Sequence, residues 1–182
     1  MVEDIASFTE RLLRFDPGAL VRLRDGRAWG RLPWEVLVSV EYECAGDVVV
    51  SAASGEKRDA DWHWPLPPIG KARVVEVLPA SQIVDLASAA ARTLREASAG
   101  RRVGERAIRD ALLDHPVITG TSDVDGTQFV VPQRIVQGIV RMRLNWPGGV
   151  DVLVAGPWTG LRTRIGEAWH RAPAGLTVRP LR

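Results

Sequence analysis

The sequence predicts an α+β protein built from two small units, each made of short antiparallel strands with one or two packed helices. Three observations lead there. Amphipathic helical segments alternate with pairs of short strand-like runs around glycine turns. The charge divides between the halves: residues 1–91 hold 10 basic and 14 acidic side chains, residues 92–182 hold 14 and 8. The chain also echoes itself. Displaced by 130 residues it matches Ile5/Ile135, Arg11/Arg141, Pro17/Pro147, Gly18/Gly148, Leu23/Leu153, Gly26/Gly156 and Gly30/Gly160, seven identities over positions 5–30. Both copies read helix, Pro-Gly turn, strand, glycine turn, strand, a pattern that suits two units packed about a pseudo-two-fold axis. The expected division is an acidic unit over 1–99 and a basic unit over 102–182, with Arg101-Arg102-Val103-Gly104 as hinge.

In chain order, residues 2–14 place Val2, Ile5, Phe8, Leu12 and Leu13 on one face of a helix that Asp16-Pro17-Gly18 stops. Residues 19–24 and 27–32 flank Asp25-Gly26, a hairpin signal because such turns demand positive φ. Residues 35–43 and 48–52 flank Ala45-Gly46-Asp47 and predict a second hairpin. A polar segment, 53–61, leads into D-A-D-W-H-W-P-L-P-P at 59–68, and 71–78 is another strand.

The longest helix falls over 80–98, with Ser81 as N-cap and Ile83, Leu86, Ala87, Ala90, Ala91 and Leu94 on its apolar face. A shorter helix over 104–114 turns Ala107, Ile108, Ala111 and Leu112 inward. A hairpin spans Asp125-Gly126, and Pro132 opens a helix over 132–143 with Ile135, Val136, Ile139, Val140 and Met142 inside. Residues 150–155, a glycine turn, residues 160–166 and a short strand at 176–179 close the chain.

Composition excludes several function classes. One cysteine, Cys44, and three histidines supply neither a disulfide nor a zinc framework, and Cys44 reads as an inert thiol in an apolar run. Acidic Glu3 and Asp4 and the lack of an apolar stretch argue against a signal peptide. No run is long enough for a membrane span, so a cytoplasmic protein is expected. Of 24 basic residues two, Lys57 and Lys71, are lysines, which reads as the base composition of a GC-rich bacterial genome. There is no P-loop and no G-x-G-x-x-G after a strand, so no nucleotide or other cofactor is implied. Asp123-Val124-Asp125-Gly126 lacks the later glutamate of a calcium loop and reads as a turn.

What remains is surface chemistry. Seven tryptophans stand against three phenylalanines and one tyrosine. Trp34, Trp62, Trp64, Trp158 and Trp169, with His63, are the candidate interaction residues, since exposed tryptophan marks protein contacts. In an extended chain Trp62 and Trp64 point to one side and Asp61 and His63 to the other, so 59–68 reads as a strap clamped by two indoles and stiffened by prolines. The leading expectation is a non-enzymatic interaction or scaffold module that self-associates. The alternative is a nucleic-acid-binding regulator using Arg101, Arg102, Arg106, Arg109, Arg134, Arg141 and Arg143, with Arg162 and Arg164 on a strand. An enzyme ranks third, with Asp61, His63 and His115 as its acid–base candidates; His115 also suits the C-terminal end of a helix dipole.

Overall fold

Asp4 opens the first helix: its carboxylate accepts the Ala6 N–H at 3.1 Å, and the helix α1 (Ile5–Leu13) buries Phe8 and Leu12. The computed structural model describes residues 4–99 and 105–173. Val2, the hinge at 101–104 and the strand expected at 176–179 lie outside them. After α1 come β1 (Leu20–Arg24), β2 (Arg27–Leu32), β3 (Val36–Glu41) and β4 (Asp47–Ser51). The strap follows as two 3-10 turns, Asp59–Asp61 and Ile69–Lys71, and then β5 (Arg73–Pro79). The helices α2 (Ala80–Ser98) and α3 (Glu105–Asp114), the strands β6 (Pro116–Thr121) and β7 (Gln128–Pro132) and the helix α4 (Gln133–Arg141) lead into β8 (Gly149–Ala155), β9 (Trp158–Arg162) and β10 (Gly166–Arg171).

The fold is α+β. Eight strands form one antiparallel sheet in the order β4-β1-β2-β3-β10-β9-β8-β5, and β6 and β7 form a separate hairpin. Helices cover one face. Phe8 and Leu12 of α1 and Ile135, Val136 and Ile139 of α4 pack on Val21, Ala28, Val36, Val38, Val152 and Leu161 of the sheet. Ile118, Phe129 and Val131 of the hairpin join the same core. The other face holds Trp29, Leu37, Leu153, Trp158 and Trp169, covered by the strap through Trp62, Trp64, Leu66 and Ile69. The sheet is buried on both faces, so β3 is an almost uninterrupted apolar run.

The sheet reads the same from either end of its central six strands. A helix and a three-strand meander, α1-β1-β2-β3, meets a second, α4-β8-β9-β10, through the antiparallel pair β3–β10, with Val38 opposite Ala168. A displacement of 130 residues carries β3 onto β10, but over β1 and β2, where the identities at Leu23/Leu153 and Gly30/Gly160 fall, it runs one residue out of step. Val21 shares the helix-side core with Val152, not with Asp151. A Cβ on Gly30 would strike the Leu12 side chain beneath α1, whereas one on Gly160 would strike the Trp169 ring on the opposite face. Strand side chains alternate between faces, so a one-residue slip reverses every contact.

Several expectations change. The strands at 36–41 and 47–51 form but do not pair as a hairpin. β3 gives its second edge to β10, and β4 crosses over to pair with β1, Val21 opposite Val50. Pairing with β10 buries β3 from Val36 to Val40, which a two-stranded hairpin cannot do. Ser81 does not cap α2; Pro79 holds the N-cap position with no side-chain bond. In α3, Ala107 and Ala111 are exposed, and Ile108 and Leu112 are half-buried. The strand β10 was not foreseen, because G-E-A-W-H-R carries no alternation of apolar and polar residues. The Asp25-Gly26 turn appears as expected, with φ of 54° and 72°, as does the turn at Gly126, φ 70°.

Candidate functional site

Two surfaces gather the residues singled out from the sequence. The first is the strap side of the sheet. Asp59 fixes the strap to the edge of β4: its carboxylate accepts the Val49 N–H at 2.7 Å, and that bond leads in holding its pKa below the ordinary carboxylate value. Trp62 then turns inward, donates its indole N–H to the Trp64 carbonyl at 2.7 Å, and meets the Trp64 ring edge-on at 5.3 Å. The Arg31 guanidinium lies 4.7 Å from the Trp64 ring centre. A groove of about 690 Å³ runs beside Pro65–Gly70 over Arg22, Arg24, Arg27 and Trp29. Its arginines face carboxylates: Arg22 grips Asp47 through two bonds of 2.8 and 2.6 Å, Arg24 reaches Asp25 and Asp47, and Arg27 lies 3.2 Å from Glu167. Glu167 is buried, with its other carboxylate oxygen accepting the Trp169 indole N–H at 2.8 Å.

The candidate tryptophans divide by burial. Trp62, Trp158 and Trp169 are buried, Trp169 completely, because the strap and the outer sheet face need large apolar area to close over one another. Trp64 and Trp34 are half-buried. Trp34 sits at the β2–β3 turn, donating to the Arg134 carbonyl at 3.2 Å and standing edge-on to Phe15. Asp61 is engaged by Arg58, and His63 projects into solvent two residues away. His115 is exposed at the end of α3. Among the described residues neither ring has a hydrogen-bond or ion-pair partner, and no group of three or more His, Cys, Asp or Glu side chains is placed to hold a metal ion.

A histidine with partners escaped the sequence reading. His170, on β10, donates Nδ1–H to the Glu35 carbonyl at 3.1 Å, beside a pocket of about 200 Å³ lined by Arg31, Trp64 and Trp158. Burial lowers its pKa from the ordinary value. Nothing in W-H-R marks it, because its partner is a backbone carbonyl from a distant turn.

The second surface is the helical layer. Arg134 is withdrawn from the nucleic-acid set: it is buried, donates to the Trp34 carbonyl at 2.7 Å and bridges to Asp114. Arg101 and Arg102 lie outside the described residues. Arg106 is exposed, 3.9 Å from Asp110. Arg143 is exposed in a left-handed conformation, φ 54°, and with Arg14 lowers the pKa of Arg11, second and third to burial. Arg141 stacks 5.3 Å from the Trp34 ring centre and donates to Gln137 at 3.0 Å. Its pKa is lowered by burial and then by Arg109. Arg162, on the strap side, is bonded to Asp151, and Arg164 is exposed.

With helices on one face of a twofold-patterned antiparallel sheet, the fold resembles that of DNA polymerase sliding clamps. The beta subunit of DNA polymerase III from Thermotoga maritima superposes with a TM-score of 0.52 at 12% identity, over 91% of this chain and 60% of that one. The clamp of Caulobacter crescentus gives 0.52 at 9%, over 97% and 66%, and that of Bacillus subtilis 0.51 at 11%, over 94% and 63%. The chain thus spans roughly three-fifths to two-thirds of the length of these clamp chains. By sequence, the chain belongs to the family described as Domain of unknown function (DUF8185), which matches residues 67–175. No curated protein matches it. Among the described residues no helix is long and apolar enough to cross a membrane.

Proposed function

We propose that this protein is a non-enzymatic scaffold of clamp-like fold that acts in the cytoplasm through protein partners, a second copy of itself among them. One observation carries the reading. The sheet has one closed edge and one open edge. At β4 the strap occupies the outer backbone groups: Arg58 N–H donates to the Val49 carbonyl at 2.8 Å and Ser51 N–H to the Glu56 carbonyl at 2.8 Å. At the far end, β5 pairs with β8 alone within the sheet and exposes Val74 (42%) and Val77 (56%). An open strand with exposed valines is a template for strand addition, and a second copy extends the sheet there while covering Val77. The bulge between Val74 and Glu76 limits the partner strand to the end nearer Pro79. Light scattering over a range of concentrations checks this: the wild-type mass rises with concentration and Val77→Lys stays monomeric. A wild type that remains a strict monomer at high concentration sinks the self-association reading.

A second reading, nucleic-acid binding through the helical layer, draws on the exposed Arg106, Arg109, Arg141 and Arg143, whose charge a phosphate backbone meets. It predicts a gel shift with arbitrary duplex DNA that fades as salt rises and weakens in Arg143→Glu. No shift at low salt removes it.

A further inference from the structure

Between α2 and the wall formed by α3 and α4 runs a trough with two chemically different parts. One part, about 440 Å³, is lined by Leu86, Ala89, Ala90, Leu112 and Val117. The other, about 220 Å³, continues from Ala90 and Leu112 past Leu94 and Leu113 and ends between Arg95, Arg109 and Arg141. Gln133 lies in the shared wall. It is 2% exposed, its amide N–H₂ reaches the Leu86 carbonyl at 3.5 Å, and its amide oxygen has no hydrogen-bond partner. A buried amide oxygen left unpaired is unfavourable and invites a donor. The alanines of α2 hold the trough open, since a larger residue at 90 or 91 would fill it.

From this apolar floor with a rim of three arginines we infer that the trough is a docking site for an acidic amphipathic peptide of a partner protein. Apolar side chains at helical spacing lie along Leu94, Leu112 and Leu113, and flanking carboxylates meet Arg95 and Arg141. A phosphate backbone matches the rim but leaves the leucine floor unused. The residues 174–182 of this chain contain two arginines and no acid, so they carry the wrong charge for the rim. The inference rests on the scaffold reading and names the kind of partner; it is independent of strand addition at β5.

The test is selection of a displayed library of random 14-residue peptides on the full-length protein, with Arg141→Glu as the counter-target. Enriched sequences are expected to carry Asp or Glu around Leu, Ile or Phe at spacings of three and four. Their affinity should fall at least about tenfold in Arg95→Glu/Arg141→Glu and again in Leu94→Ser, a loss of about 1.4 kcal/mol or more. Both variants alter exposed or half-buried groups, and their melting temperatures establish that they fold. Enrichment of basic or uncharged peptides, or of none dependent on the trough, overturns the proposal. So does binding that a short DNA duplex abolishes while Leu94→Ser leaves it intact, which marks a general polyanion surface. Self-association measured on the same preparations fails or holds separately, so the two readings are distinguished.

Discussion

At the scale of single residues, partners decide roles that residue type leaves open. Arg134 counts as a surface cation in the sequence, yet it links the β2–β3 turn to the end of α3 by bonds to the Trp34 carbonyl and Asp114. Asp61 and His63 look like a dyad, yet Asp61 belongs to Arg58 and His63 to solvent. His170 is the histidine whose protonation should be felt in stability. Burial is the main cause of its lowered pKa; the Glu35 carbonyl bond pulls the other way, and Arg134, Glu35 and Asp114 add smaller effects of both signs. A depressed imidazole is the stronger base in the unfolded chain, so unfolding takes up a proton below its ordinary pKa of about 6.5. The stabilising contribution is complete above that pH and is lost as pH falls through the folded value. Melting curves should therefore show the wild type losing more stability than His170→Asn between about pH 7 and about pH 5. Equal slopes would show that His170 is not linked to folding.

At the scale of elements, amphipathic period and turn chemistry were sufficient where contacts are local. The helices over 5–13, 80–98, 105–114 and 133–141 and the turns at Asp25-Gly26 and Asp125-Gly126 follow from spacing and from the need for positive φ. The element that most depends on distant packing is the strap. Its hold is Trp62, with the indole buried and hydrogen-bonded to Trp64. Trp62→Ala removes that wedge from the outer core and should cost about 3 kcal/mol, read from urea unfolding. Limited proteolysis should then cut first within residues 59–70. A variant equally resistant to protease would place the hold elsewhere, in the Asp59 bond to Val49 or in Leu66 and Ile69.

At the scale of the whole molecule, one sheet joins the two segments that charge and composition set apart. β3 pairs with β10, and β5, from the acidic segment, pairs with β8 of the basic one. Produced separately, residues 1–99 and 102–182 should each lack the cooperative unfolding of the full chain, and produced together they should copurify. Circular dichroism and copurification check this; a segment 1–99 that unfolds cooperatively alone would identify an independent unit. By itself the sequence determined which segments are helical, where the tight turns fall, and that a helix followed by two strands recurs along the chain, because each depends on neighbours within a few residues. Tertiary structure alone decided that β4 leaves β3 for β1, that β1 and β2 sit one residue out of step with the echo, and that the strap closes over Trp29, Trp158 and Trp169. Those outcomes depend on which of several acceptable partners buries the most apolar surface, and that competition is settled between residues far apart in the chain.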